Sequence, residues 1–283
     1  MAAKDDGTLC VKKWCASNIQ CNTISLLVGK RGTGKTVLLQ DLCYHMRDKI
    51  DYALGFSPTE DCNETLSKFI PDSMVYSEYR EDVLTDLMDL QKRMWRIKGK
   101  TGYRVLIILD DCCYDKKILR SKVIREIFMN GRHRHVTLVI AVQYVMDMPP
   151  DLRTQVDYVF ALRENVIKNR ERLYRQFFGF FNKYKHFATV MDSCTENYEC
   201  LVCDNKTSKE NTIDACVFWY KAAIDLPEYR LGHKFTWKLH KFYYKKEQFA
   251  LPRLPKLKPG GGGKRAGGGV HTVIKHDERG EEV

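Results

Sequence analysis

A single octapeptide restricts the fold of this chain more than any other part of its sequence. Residues 29–36 read GKRGTGKT and match the pattern G-x-x-x-x-G-K-[ST] of a phosphate-binding loop (Walker A) in full. The apolar run 24–28 precedes the loop, and a helical pattern opens at Val37. Such a loop joins a buried strand to a helix in proteins with a parallel sheet. We therefore expect an α/β fold with a central, mostly parallel sheet flanked by helices.

The residue types of this loop suit a triphosphate and a divalent cation. Glycines let backbone N–H groups approach phosphate oxygens, and the amino terminus of the following helix adds its positive end. We expect Lys35 to neutralise the β- and γ-phosphates and the Thr36 hydroxyl to bind Mg²⁺. A glycine-rich turn that matches by chance is disfavoured, because a strand and a helix flank it. The expected nucleotide-binding residues are Gly29, Lys30, Arg31, Gly32, Thr33, Gly34, Lys35, Thr36 and Val37.

Two further strand ends carry polar groups that complete such a site. The apolar run 105–109 ends abruptly in Asp110 and Asp111, and carboxylates at a buried strand end are costly unless they bind a cation or pair with one. We expect Asp110 to hold Mg²⁺ and Asp111 to deprotonate the attacking water, an acidic turn being the alternative. Gln143 follows the apolar run 136–142. Its amide can sense a γ-phosphate by hydrogen bonding without a charge of its own.

Short apolar runs alternate with stretches of helical spacing along most of the chain. The patterns predict strands at 23–28, 52–56, 74–76, 104–110, 136–143 and 156–162, with strand-like pieces at 199–203 and 217–221. They predict helices at 35–48, 81–97, 118–129 and 166–178. We expect four regions: an N-terminal segment (1–22), a P-loop core (23–185), a small β-rich extension of that domain (186–250) and a flexible Gly/Pro/basic tail (251–283).

The net charge and the cysteine content indicate which binding partners and which cellular compartment suit this chain. The net charge of +11 makes a polyanion a plausible partner, although a merely soluble basic protein is equally consistent with it. No apolar run is long enough to span a bilayer, so we expect no integral membrane protein. The 11 scattered cysteines suit a reducing compartment. Cys200 and Cys203 form a C-x-x-C pattern, for which zinc is an alternative to buried thiols.

Four segments together, GKRGTGKT, VLIILDDCCYD, NGRHRHVTLVIAVQY and QVDYVFALREN, resemble the poxvirus-type genome-packaging ATPases of nucleocytoplasmic large DNA viruses. These belong to the FtsK–HerA superfamily of P-loop motors, and the resemblance extends over about residues 23–221. It implies a RecA-like sheet in which the Gln143 strand lies between the phosphate-loop strand and the Asp110 strand. It also implies the roles given above for Lys35, Asp110, Asp111 and Gln143. The wider superfamily usually has Glu at the Asp111 position.

The resemblance also implies an arginine supplied by a neighbouring subunit to stabilise charge on the transferring phosphate. Arg132 stands first for this role, and Arg134, Arg163 and Arg31 compete for it. Each of these arginines could instead lie on a solvated face or bind DNA phosphates.

The implied function is an ATP-hydrolysing, ring-forming homo-oligomer that translocates double-stranded DNA into a capsid without sequence preference. The implied partners are ATP, Mg²⁺, DNA and viral capsid or inner-membrane proteins, and the implied location is the host cytoplasm at the assembly site, or the virion. A related helicase or segregation motor, and a non-translocating ATP-dependent switch or scaffold, stay open as alternatives. The basic stretch 234–246 could contact DNA, capsid or a membrane surface.

Overall fold

A nine-stranded sheet lies at the centre of the computed structural model, which describes residues 9–98, 102–112, 117–145, 148–206 and 212–245. The strand order across the sheet is β1-β9-β8-β7-β2-β6-β5-β3-β4. The strands are β1 Lys12–Lys13, β2 Ile24–Val28, β3 Tyr52–Phe56, β4 Val75–Tyr76, β5 Val105–Asp110, β6 Val136–Val142, β7 Tyr158–Ala161, β8 Glu199–Asp204 and β9 Val217–Lys221. Strand β8 runs antiparallel to β7 and β9, and the other neighbours are parallel.

Helices cover both faces of this sheet. They are α1 Lys35–Met46, α2 Glu60–Asn63, α3 Glu81–Lys98, α4 Lys122–Asn130, α5 Pro150–Arg153, α6 Ile167–Phe177, α7 Tyr184–Cys194, α8 Ile213–Cys216 and α9 Lys234–Tyr243. Alternate residues of β2, β5 and β6 enter two separate hydrophobic cores, one on each face. Helices α3, α4, α6 and α7 contribute to one core, and α1 contributes to the other. Because both faces are buried, these strands are apolar except at Ser25, Thr137 and the terminal Asp110.

The order of the central strands determines where the polar strand ends meet. Strand β6 lies between β2 and β5, with Val28 opposite Val142 and Asp110 opposite Ala141. All three strands are parallel, so the phosphate loop, the acidic pair and Gln143 leave the sheet at the same carboxyl edge. The α/β prediction is confirmed, and so is the RecA-like order implied by the family resemblance.

Some predicted element boundaries were wrong. The single helix expected over 118–129 is a 3-10 turn, Ile118–Arg120, followed by α4. Ser121 separates them because its hydroxyl accepts a bond from the Ile124 amide at 3.4 Å and caps α4. Helices α7 and α9 were not predicted. The expected tail over 251–283 lies outside the described residues, and the proposed domain boundaries stay predictions.

Two further expectations concern membranes and cysteine pairing. Within the described ranges, none of the helices is long and apolar enough to cross a membrane. No disulfide joins the cysteines of those ranges.

Candidate active site

The phosphate loop connects β2 to α1, and its turn depends on three glycines. Gly32 and Gly34 have φ angles of +77° and +95°, in the left-handed region that favours glycine. Gly29 has no room for a side chain, because a Cβ there would lie 2.7 Å from both Leu162 and Thr33. Thr33 closes the loop with a 2.8 Å bond from its hydroxyl to the Lys30 carbonyl. The loop therefore offers close backbone approach to an anion at the start of α1.

Lys35, Asp111 and Gln143 meet at the carboxyl edge of the sheet. The Lys35 ammonium, only 7% exposed, forms an ion pair with the Asp111 carboxylate. The Gln143 amide donates to the other Asp111 oxygen at 3.2 Å. Asp111 has a left-handed φ of 50°, a conformation in which Asp is enriched, and its amide bonds the Ala141 carbonyl. Polar groups from the start of α1 and from the ends of β5 and β6 thus converge on one point.

Asp110 is held beside this group in a more buried position. It is 7% exposed, and the Ser57 hydroxyl donates to it at 3.3 Å from the end of β3. Burial, and next the negative charge of Asp111, raise the pKa of Asp110 to about 6. Burial and a neighbouring like charge thus both disfavour the ionised form of Asp110. A divalent cation would supply compensating positive charge, and carboxylate oxygens are the ligands that Mg²⁺ prefers.

Glu164, which sequence reasoning missed, ties the phosphate loop to α6. It is 8% exposed and accepts a 2.8 Å bond from Lys30 of the loop. It also accepts bonds from the Val166 amide and from the Asn169 side chain at the start of α6. Burial opposes ionisation, but these donors, led by Lys30, hold the pKa of Glu164 below its usual value. A carboxylate three residues after β7, within the motif LREN, was the signal available in the sequence.

Tyr198 is a second residue that sequence reasoning missed. It precedes β8, whose antiparallel pairing brings it to the carboxyl end of β7. Its ring lies beside the loop, since a methyl group on Gly34 would be 3.5 Å from Tyr198 Cδ1. The side chain is 68% exposed, and its φ is 64°. An exposed aromatic ring on strained backbone next to a phosphate loop offers a stacking surface for a base.

The four candidate arginines lie in different places. Arg132 pairs with Asp157 at 3.2 Å, at the amino ends of β2 and β7, and is therefore remote from its own phosphate loop. Arg134 is mostly buried in an ion pair with Glu126. Arg163 follows β7 at the carboxyl edge, and Arg31 is exposed within the loop.

Strand β8 separates the two cysteines of the C-x-x-C pattern. Cys200 packs in one hydrophobic core and Cys203 in the other, on opposite faces of the sheet. One ion therefore cannot bind both thiols. Within the described ranges, no cluster of three or more His, Cys, Asp or Glu side chains is arranged to hold a metal ion.

The sheet order, the loop and the acidic strand end define this chain as a P-loop NTPase with a RecA-like order of strands. Residues 17–222 match the family described as Poxvirus A32 protein. The chain belongs to this family, and the resemblance found in the sequence is confirmed.

Relatives of this chain occur in large DNA viruses. The chain is 36% identical over 200 residues to the uncharacterized protein 015R of frog virus 3 (isolate Goorha), a match covering 70% of this chain and 61% of that protein. It is 32% identical over 244 residues to the uncharacterized protein L437 of Acanthamoeba polyphaga mimivirus, covering 83% and 84%. The chain thus spans less than two thirds of the frog virus relative.

Solved structures share the fold at low sequence identity. The genome packaging NTPase B204 of Sulfolobus turreted icosahedral virus 2, in complex with sulfate, superposes with a TM-score of 0.53 at 16% identity, covering 74% of this chain and all of B204. A structure described as B204, the DNA-packaging ATPase from Sulfolobus turreted icosahedral virus, gives a TM-score of 0.51 at 16% identity, covering 72% and 100%.

Proposed function

We propose that this protein hydrolyses ATP to move double-stranded DNA into a viral capsid. The observation that carries the proposal is the meeting of Lys35, Asp111 and Gln143, with Asp110 beside them, at one edge of a parallel sheet. A phosphate loop, a cation site and a neutral amide are the parts that phosphoryl transfer requires. Membership of the Poxvirus A32 protein family supports packaging as the work this hydrolysis drives.

ATP fits the site through its phosphates and its base. Gly32 leaves open space at the loop, since a Cβ there would meet no atom within 4 Å, and Lys35 reaches the Asp111 carboxylate from α1. Tyr198 offers its ring to the adenine. Structures of the similar protein B204 contain AMPPCP and ATP-γS, which supports the choice of nucleotide.

Mg²⁺ fits the donor set of the same edge. Asp110 would hold the ion from the buried side, and the exposed Thr36 hydroxyl would hold it from α1. When bound, the ion neutralises charge on the phosphate oxygens and aligns them for attack. Ser57 orients the Asp110 carboxylate toward this task through its hydroxyl.

Asp111 changes partner as the phosphates bind. Its ion pair with Lys35 occupies the ammonium that the phosphates require. Once the phosphates draw Lys35 away, Asp111 keeps its bond from Gln143 and gains a free oxygen to accept a proton from water. Gln143 touches the base and stands at the end of β6, so it can report whether a γ-phosphate is present.

Movement of DNA requires several subunits and an arginine from a neighbour. Arg132, 58% exposed in its ion pair with Asp157, is the first candidate for that role. The charge of +11 supports sequence-independent contact with phosphates. Under this proposal the protein forms a homo-oligomeric ring, meets capsid or inner-membrane proteins, and works at the assembly site in the host cytoplasm.

ATP hydrolysis measured with and without duplex DNA tests the proposal. We expect duplex DNA of any sequence to stimulate turnover. Lys35→Ala should lower turnover by about 10³-fold, because it removes the positive charge that faces the phosphates. Lys92→Ala, an exposed lysine on α3, is the matched control and should behave as wild type. Nucleotide binding with no turnover under either condition would instead indicate an ATP-dependent switch or scaffold.

A further inference from the structure

The exposed face of α9 carries an apolar stripe that the nucleotide site does not use. Phe235, Leu239 and Phe242 are 56%, 41% and 79% exposed. Their spacing of i, i+4 and i+7 aligns them along one side of the helix. Single exposed apolar residues are common, but three large ones in line form a contiguous patch.

The opposite side of α9 anchors the helix to the domain. Thr236 is buried, the Trp237 indole donates to the Leu231 carbonyl at 2.8 Å, and His240 shares a 2.9 Å hydrogen bond with Ser73. The His233 amide, just before α9, donates to the Asp51 carbonyl at the amino end of β3. The helix is therefore held in place with its apolar stripe facing outward. It lies at the end of the sheet away from the phosphate loop.

A row of cations runs beside the apolar stripe. Lys234, Lys238 and Lys241 are exposed and follow the same i, i+4, i+7 spacing, about a quarter turn away. The helix reads KFTWKLHKFY and contains no acidic residue. A stripe of aromatic and leucine side chains flanked by lysines is a feature of helices that lie in a membrane interface.

We infer that α9 docks this protein on the surface of a membrane that contains anionic phospholipids. The stripe of Phe235, Leu239 and Phe242 would enter the headgroup and acyl boundary, and the three lysines would meet lipid phosphates and carboxylates. Duplex DNA could satisfy the lysines, but it would leave the three apolar side chains in water. The combination of both rows therefore favours lipid over DNA.

Flotation of the full chain with vesicles tests this inference. We expect the protein to float with mixed phosphatidylcholine and phosphatidylserine vesicles and not with phosphatidylcholine alone. The triple variant Phe235→Ser, Leu239→Ser and Phe242→Ser should lower the partition coefficient by at least about 100-fold. The triple variant Lys234→Gln, Lys238→Gln and Lys241→Gln should lower it by about 100-fold on the mixed vesicles.

The matched control replaces similarly exposed apolar side chains on another helix. Leu90 and Trp95 on α3 are 50% and 52% exposed, and Leu90→Ser with Trp95→Ser should leave flotation unchanged. If the triple serine variant unfolds early, Phe242→Ser alone, at the most exposed of the three positions, takes its place with an expected loss of about 10-fold. Flotation that the serine changes do not affect would overturn the inference. So would serine variants that lose DNA binding or self-association but still float with the vesicles.

Discussion

The two edges of the central sheet hold similar charged residues for different purposes. At the amino edge, the carboxylates of Asp157 and Asp51 each accept a backbone amide, from Ile24 and Arg104 at 2.9 and 2.8 Å, in addition to an arginine side chain. At the carboxyl edge, the Asp111 carboxylate is satisfied by side chains, Lys35 and Gln143.

This difference distinguishes a structural carboxylate from a functional one. A backbone amide cannot leave its acceptor without breaking the sheet, whereas a lysine or glutamine side chain can turn to a ligand. A strand-end carboxylate whose hydrogen-bond partners are all movable side chains therefore indicates a site. Four substitutions test this reading, in order of decreasing expected effect.

Arg132 is the strongest challenge to the distinction between the two edges of the sheet. It lies at the amino edge, yet it is proposed to act in catalysis. We expect Arg132→Ala to lower ATP hydrolysis by about 10³–10⁵-fold, because the transferring phosphate loses its neighbouring cation. Arg132→Lys keeps a charge for Asp157 but loses the planar fork, so it should be nearly as inactive. Steady-state hydrolysis and thermal unfolding are the measurements, with the exposed Arg93→Ala on α3 as control.

Mixing subunits decides whether Arg132 acts across an interface. Rings assembled from Arg132→Ala and Lys35→Ala subunits contain some interfaces with an intact loop and an intact arginine, so partial activity should return. Absence of rescue at every ratio, with mixed assembly shown independently, would assign Arg132 to structure and point to Arg163 at the carboxyl edge.

Asp111→Asn sharpens the account of the carboxyl edge. Because the amide cannot accept the proton of water, turnover should fall by about 10²–10⁴-fold. Nucleotide binding should persist, since Lys35 and Asp110 are unchanged. Single-turnover hydrolysis and titration with a fluorescent ATP analogue separate the two effects. Asp111→Glu, which restores a carboxylate, should recover part of the activity, and a normal rate in Asp111→Asn would remove Asp111 from the role of base.

Tyr198→Ala should act on binding at the same edge. Loss of a stacking ring costs about 5- to 150-fold in affinity per base, so we expect KM for ATP to rise by that factor with kcat little changed. Tyr198→Phe keeps the ring and should match wild type. Inorganic tripolyphosphate has no base, and its inhibition constant should be the same for all three proteins. An equal shift for tripolyphosphate would mean that Tyr198 shapes the loop and does not stack on the base.

Asp51→Ala should have the smallest kinetic effect. It removes the acceptor of the Arg104 amide, so the free energy of unfolding should fall by about 1–2 kcal/mol in urea titrations. Both kcat and KM should stay at wild-type values. Asp51→Asn retains an acceptor oxygen and should recover most of the stability. If Asp51→Ala changed kcat or KM while the free energy of unfolding stayed at the wild-type value, the distinction between the two edges would be wrong.

Local patterns were sufficient to propose the candidate site residues. Lys35, Asp110, Asp111 and Gln143 were proposed because each lies in or next to a motif readable within about ten positions. Helix α7 was readable too, since Phe187, Met191 and Cys194 repeat at i, i+4 and i+7 and are buried. Helix α9 buries only Thr236 fully, so its pattern faces outward and gives no core signal.

The amino-acid sequence by itself determined the class of fold and the phosphate loop, because a buried parallel strand and a glycine loop are encoded by neighbouring residues. Only the tertiary structure decided that Glu164 holds Lys30, that Tyr198 lies beside Gly34, and that Cys200 and Cys203 face opposite cores. These contacts depend on strand order and register, such as Val28 opposite Val142 and Ala161 opposite Leu201. Strand register is set by the packing of whole strands and helices on both faces of the sheet. No local run of residues contains that information.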